Sequence, residues 1–224
     1  MVDFQTMEIA GFLPALEGMR MPLKSYKKQD TEIQEDGQIN VGPNDYALAN
    51  KLVTAGGSEH AKFLRQIQVW VKVTAPRFFF QEMSTYKVGT TENSESTMHT
   101  LMRDGLTEED ICFQFEENDN GLSQAMRDYI RLINTLIQVY KYKGTSFEKN
   151  QIFEKVKAML PEGFIQTRMV SLNYEVLRNM YRQRKNHRLS GWNTDFVNWI
   201  HSLPMHEWIT EEFPKKEISQ PVKD

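Results

Sequence analysis

"IQVWVKVTAPRFFFQEMSTYK", residues 67–87, changes period halfway along, and that change decides the fold class. Ile67, Val69, Val71 and Val73 alternate with Gln68, Trp70, Lys72 and Thr74, the two-residue repeat of a strand with one buried face. Ala75-Pro76 ends the alternation. Proline, with φ already fixed and no amide hydrogen to donate, suits the first position of a helix, and the spacing predicts one over 76–87. Phe78, Phe79 and Phe80 are adjacent, so not all can face one core; at least one meets a second layer or another subunit.

Helical signals dominate downstream. Met126, Ile130, Ile133, Ile137 and Tyr140 recur at helical spacing in "SQAMRDYIRLINTLIQVYKY". "SFEKNQIFEKVKAML" predicts another helix, stopped at Pro161-Glu162-Gly163. "VSLNYEVLRNMYRQRKNHR", 170–188, carries Val176, Leu177, Met180 and Tyr181 on one helical face, and "NTDFVNWIHSLP" runs from an Asn or Thr cap to Pro204. Upstream, Asn44 or Asp45 caps a helix through Ala47, Leu48 and Leu52 that Gly56-Gly57 ends, and Ser58 caps a short helix "EHAKFLRQ". The expected class is α+β: a small antiparallel or mixed sheet, then a predominantly helical second half. We expect one domain over 1–224, with a polar segment at 24–45 that is a mobile loop or small hairpin, and a charged tail, 214–224, that frays.

Composition narrows the function classes. With 40% hydrophobic and 25% charged residues, 224 residues can bury a substantial core. A net charge of −3 argues against wholesale nucleic-acid binding, so any anion site is local. One cysteine, Cys112, permits no internal disulfide; with no signal pattern near the start and no apolar run of membrane length, the expectation is a cytoplasmic protein away from membranes. The five histidines form no metal-ligand spacing with Cys112, and no glycine-rich dinucleotide or phosphate loop occurs.

Two stretches rise above this background. "RNMYRQRKNHR" holds Arg178, Arg182, Arg184, Lys185 and Arg188 without an acid. Arg178, Arg182 and Lys185 share one helical face, Arg184 and Arg188 another; the helix is either a solvated charged face or a phosphate-binding one, with the Arg184 guanidinium as the natural fork. "TYKVGTTENSESTMH", 85–99, gathers six serine and threonine side chains around Gly89. It is either a turn capping the helix "SESTMHTLMRD" or a pocket lining for something anionic.

The order of these pieces resembles the flavin-dependent thymidylate synthases. In that family a Glu-His segment precedes a strand, the strand enters an Ala-Pro helix, and the helix delivers an Arg-His-Arg triplet followed by a serine. Here "SEH" (58–60) precedes the strand, and the triplet falls on Thr85-Tyr86-Lys87, with Ser96 beyond. A second block, Leu-Pro followed by Asn and, eleven positions on, Arg, matches Leu160-Pro161, Asn173 and Arg184, with Lys157 at a phosphate-binding arginine position; "GMRMPLKS" faintly echoes an N-terminal Ala-Arg-Val-Ser stretch. The resemblance spans residues 15–195. Departures concentrate in the triplet, where one cation remains, and after Arg184, where the family's Ala-Gln-x-Glu-Ile-Arg reads "LSGWNT".

The resemblance implies an FAD enzyme that methylates dUMP to dTMP with methylenetetrahydrofolate, NADPH reducing the flavin, in a homotetramer with sites between subunits. By position, Glu59 and Asn173 contact the flavin, Lys87 lies near flavin phosphate, Lys157 and Arg184 hold dUMP, and Ser96 sits beside the pyrimidine. Tyr86 either stacks on the flavin or is a core aromatic. No side chain is singled out as catalytic. The alternative is a non-catalytic relative that binds a nucleotide or single-stranded nucleic acid through 178–188.

Overall fold

The computed structural model describes residues 2–35, 37–55, 59–142 and 144–214. In chain order come β1 (Asp3–Ala10), α1 (Phe12–Arg20), β2 (Glu32–Ile33), β3 (Ile39–Asn40), α2 (Pro43–Thr54), β4 (Gln68–Pro76), α3 (Arg77–Met83) and β5 (Thr91–Ser94). Then follow α4 (Leu101–Asp104), α5 (Leu122–Tyr142), α6 (Ser146–Met159), β6 (Ile165–Asn173) and α7 (Tyr174–Arg184). A π-helical stretch (Gly191–Phe196), α8 (Val197–His201) and α9 (Glu207–Thr210) complete the order. The class is α+β, with a small sheet of order β1-β4-β6-β5. Among the described residues no helix is long and apolar enough to cross a membrane. The chain divides into two compact units, residues 1–7 with 70–171 and residues 8–69 with 172–224.

In the first unit β4 is the strand its alternation implied: Val71 and Val73 are fully buried, while Lys72 and Thr74 are half-exposed. Pro76 stands just before α3 rather than inside it, and the helix begins at Arg77. The Arg77 and Phe78 amides, which have no intrahelical acceptor, donate to the carbonyls of Phe164 (2.9 Å) and Glu162 (3.1 Å). Phe79 and Phe80 are fully buried and Phe78 is half-exposed.

α3 stops at Met83, four residues short of the expected end at 87. Thr85 folds back, its Oγ1 donating to the Glu82 carbonyl at 2.7 Å, and the Tyr86 amide donates to the Met83 carbonyl, bonds that tighten the last turn and end it. Beyond the turn, Thr91–Ser94 form an unexpected strand, antiparallel to β6 with Thr91 opposite Ser171 and Ser94 opposite Arg168. The helix expected from Ser94 shrinks to α4. Ile130, Ile133 and Ile137 of α5 pack with Ile152 and Val156 of α6, and Thr145 caps α6 by accepting from the Glu148 amide.

The second unit is built around aromatics. Phe12 meets Tyr174 edge-on at 5.6 Å between centroids, and Phe63 meets Trp208 at 5.7 Å. Their polar ends are satisfied: Trp208 Nε1 donates to Asn50 (2.8 Å) and the Tyr174 hydroxyl to the Pro204 carbonyl (2.6 Å). The helix expected over 170–188 is divided. Residues up to Asn173 finish β6, with Leu172 fully buried, and Asn173 Oδ1 then caps α7 by accepting from the Val176 amide at 3.1 Å.

The cap of α2 comes from a distance. Asp30, not Asn44 or Asp45, accepts the Asn44 and Asp45 amides, at 2.9 and 3.0 Å. Burial opposes the charge on Asp30, but these two amides, with the Arg20 charge and the Asn44 side chain, outweigh it and hold its carboxyl below the usual range. Asp45 turns back to the Asp30 and Thr31 amides and to Arg20, whose Nε lies 2.6 Å from it. Gly42 permits this: a Cβ there would lie 2.2 Å from the Asp30 carbonyl oxygen. The 24–45 segment contains the small hairpin β2–β3. Gly56-Gly57, the proposed Ser58 cap and the tail from 215 lie outside the described residues.

Candidate nucleotide-binding sites

Four of the residues singled out from sequence belong to the first unit. Tyr86, in the turn after α3, is buried at 9% exposure, while Lys87 beside it is exposed. Ser96 opens the turn into α4, its carbonyl accepting from the His99 and Thr100 amides. Lys157, from the last turn of α6, donates through Nζ to the Thr97 hydroxyl, so Lys157 reaches the residue next to Ser96. Burial pulls the Lys157 ammonium below the ordinary lysine range, and the positive charge of Arg77 adds to the shift. An anion here would relieve that repulsion.

The same unit presents a cation that the motif reading passed over. Arg168 leaves β6 opposite Ser94 and lies with its guanidinium 4.0 Å from the Phe80 ring centroid. Its Nη1 donates to Glu92 at 2.9 Å and reaches Ser84 Oγ at 3.5 Å. Arg168 sits in a strand whose alternation is weak, between Gln166-Thr167 and Met169-Val170, so its partners on α3 and β5 are invisible in sequence.

In the second unit, α1, the turn after it, α2 and the 3-10 turn Lys62–Gln66 enclose a cavity of about 840 Å³. Leu48, Leu52 and Phe63 give it apolar walls; Lys28, Lys62 and Arg65 give it positive charge, while Arg20, also in the lining, is paired with Asp45. Glu59 and His60 stand on its rim, 3.7 Å apart and largely exposed. Lys62 and Arg65 are three apart in a 3-10 turn, where such side chains eclipse. That spacing, with Arg20 in "GMRMPLKS", was the signal available in sequence.

Asn173 is mostly buried and engaged as the α7 cap. Arg184 ends α7, and its guanidinium lies 5.2 Å from the centroid of the fully buried Trp192 ring, in the π-helical stretch. The other basic face of α7 is committed internally. Arg178 donates to Glu211 (3.0 Å from Nε) and to the Val53 carbonyl (3.1 Å), Arg182 reaches Glu211 at 3.3 Å, and Lys185 lies 3.9 Å from Glu212. The Tyr181 hydroxyl donates to Glu212 as well; burial, then that carboxylate, pushes it up to about 12.

Comparison with known proteins bears on the family and the fold. The family model described as thymidylate synthase complementing protein matches residues 17–195. No curated protein matches the sequence. Among solved structures, thymidylate synthase X from Helicobacter pylori with FAD and dUMP is similar in fold, with a TM-score of 0.70 at 15% identity over 94% of this chain and 97% of that one. Another structure of the flavin-dependent thymidylate synthase from Helicobacter pylori, complexed with FAD and dUMP, gives 0.59 at 15% identity over 93% and 97%.

Proposed function

This chain belongs to the thymidylate synthase complementing protein family, and on that premise we propose that it is a flavin-dependent thymidylate synthase, methylating dUMP to dTMP. Methylenetetrahydrofolate is the one-carbon donor in this reading and NADPH the reductant of the flavin. The observation that carries the cofactor assignment is the second unit's cavity. Its volume of about 840 Å³ lies in the range of sites that enclose small molecules. Apolar walls suit an aromatic ring system, and Lys28, Lys62 and Arg65 against the single Glu59 carboxylate, with Arg20 already neutralised by Asp45, suit a diphosphate. Reduced FAD supplies the hydride when bound; the chain's own residues supply orientation and charge.

Within that reading Lys157 and Arg184 hold the substrate, Ser96 lies beside the pyrimidine, Lys87 answers flavin phosphate, and Glu59 and Asn173 orient the cofactor. Three structural features support parts of it. Glu59 lies on the cavity rim, Lys157 bonds the neighbour of Ser96, and the Trp192 face steadies Arg184. Tyr86, at 9% exposure, supports the core-aromatic role better than flavin stacking. The nucleic-acid alternative gains nothing, since Glu211 and Glu212 engage Arg178, Arg182 and Lys185. A cytoplasmic enzyme suits a chain whose single cysteine can form no internal disulfide.

The test is direct. The purified protein is incubated with FAD, NADPH, methylenetetrahydrofolate and dUMP, and both the flavin spectrum and dTMP formation are followed. We expect a bound-flavin spectrum and dTMP that requires every component. A protein that stays colourless with excess FAD and forms no dTMP is not this enzyme.

A further inference from the structure

We infer that Arg168 is the guanidinium that holds a ligand phosphate in the first unit, beside the 85–87 segment that retains one cation. The inference rests on the reading of that segment as nucleotide-binding.

The Arg168 guanidinium is held from two sides. Phe80 packs against its face at 4.0 Å, and Glu92 and Ser84 meet Nη1. Ser84 Oγ also donates to the other Glu92 oxygen at 3.1 Å, so the carboxylate is held from two sides. An aromatic face and a fixed carboxylate restrict the long side chain, and less ordering remains to be done when an anion arrives.

What the guanidinium leaves unfilled is more telling. A side-on fork of Nε and Nη2 is the arrangement by which arginine grips a carboxylate or phosphate through two parallel bonds. Arg168 does not use it on Glu92; both of its hydrogen bonds among the described residues come from Nη1. Nε is buried and without an acceptor, as is the Thr90 hydroxyl on the same 84–94 segment. Proteins seldom leave buried donors unanswered, and such donors mark places where a ligand or ordered water completes the structure. An arginine that served only to fasten β5 to β6 would have its fork closed on Glu92. The Nε–Nη2 edge, which has no partner among the described residues, suits a phosphate oxygen pair, and with Lys87 in the same segment the guanidinium restores a second positive charge.

The ligand chemistry is a nucleotide phosphate, from the flavin or from the substrate. The full-length protein is titrated with FAD against riboflavin and with dUMP against deoxyuridine. The variants are Arg168→Gln, Arg168→Lys and Glu92→Gln. Expected for Arg168→Gln is a loss of about tenfold to a hundredfold for the phosphate-bearing member of one pair, its phosphate-free counterpart unchanged. Arg168→Lys recovers part of the loss, and Glu92→Gln, which breaks the ion pair but keeps the guanidinium, retains phosphate preference. The pair affected says which nucleotide is held. The inference is overturned if the arginine variants keep both preferences and only their melting temperature falls. If the unaltered protein binds neither FAD nor dUMP, the enzyme reading itself fails and this assignment with it.

Discussion

Lys157 is the side chain whose surroundings say most about its use. Its ammonium is pulled down first by burial and then by Arg77, and its hydrogen bond to Thr97 offers a neutral acceptor rather than a counter-charge. A half-buried cation short of an anion is stabilised by the ligand that brings one. Lys157→Met is therefore expected to weaken dUMP about tenfold or more, the cost of one charge-assisted hydrogen bond, with little effect on deoxyuridine. The sign of the pH effect follows. A lysine whose value is lowered loses its proton earlier as pH rises, so dUMP affinity falls on the alkaline side sooner than an ordinary lysine would allow. Lys157→Arg keeps the charge at all accessible pH and flattens that decline. Calorimetric titrations of dUMP across the alkaline range read both, and an affinity equal in all three proteins removes Lys157 from the site.

At the scale of elements, α7 is fastened by charge. Arg178 and Arg182 converge on Glu211, which follows α9 in a left-handed conformation (φ +62°). Burial works against the Glu211 carboxylate, but Arg182 and Arg178 outweigh it and hold its carboxyl below the ordinary range. An acid so depressed contributes stability that is fully present above its unfolded value and disappears as pH falls through its folded value. Glu211→Gln is expected to cost about 1–3 kcal/mol at neutral pH, toward the lower end because Arg182 is half-exposed. Denaturant titrations should show the gap to the unaltered protein closing below about pH 4; a gap independent of pH would mean the carboxylate charge does not fasten this helix. The basic face of α7 could be read in sequence, but its acid partners, about thirty positions on, could not, so solvation and ligand binding looked like its only uses. The same difference in range explains the other elements. β4, α5 and α6 carry their burial pattern within themselves and were legible. β5 is exposed along its whole length, so no alternation marks it, and the cap of α2 comes from Asp30, which only the folded chain brings near. Of the candidate site, Glu59 and Lys157 followed from motif order. Lys62 and Arg65 stand three apart in the sequence, but the 3-10 turn that aligns them, like the strand register that places Arg168, is fixed by no local pattern.

At the scale of the whole molecule, the open matter is what covers the apolar surface that folding leaves exposed. Leu132 and Val139 lie seven apart on α5, on one helical face, and are 49% and 40% exposed; Phe147, at the start of α6, is 71% exposed. The buried side of α5 is already used by Ile130, Ile133 and Ile137, so a second apolar stripe on the same helix has no part in the unit's own core. Single exposed leucines are ordinary, but a stripe at helical spacing on a long helix marks a surface that meets another chain. We expect the protein to be a homotetramer, the assembly implied by the family resemblance, with this stripe in a subunit contact. Light scattering coupled to size exclusion should then give four times the chain mass of 26.3 kDa. Leu132→Glu with Val139→Glu should lower that mass while leaving the far-ultraviolet circular dichroism unchanged, since both positions are exposed in the single chain. Reduced mass together with lost flavin binding would show that the cofactor site needs the neighbouring subunit, whereas reduced mass with flavin retained would place that site within one chain. An unaltered protein that runs as a 26.3 kDa monomer at tens of micromolar would leave the stripe without this role, because interfaces of standard size hold at far lower concentrations.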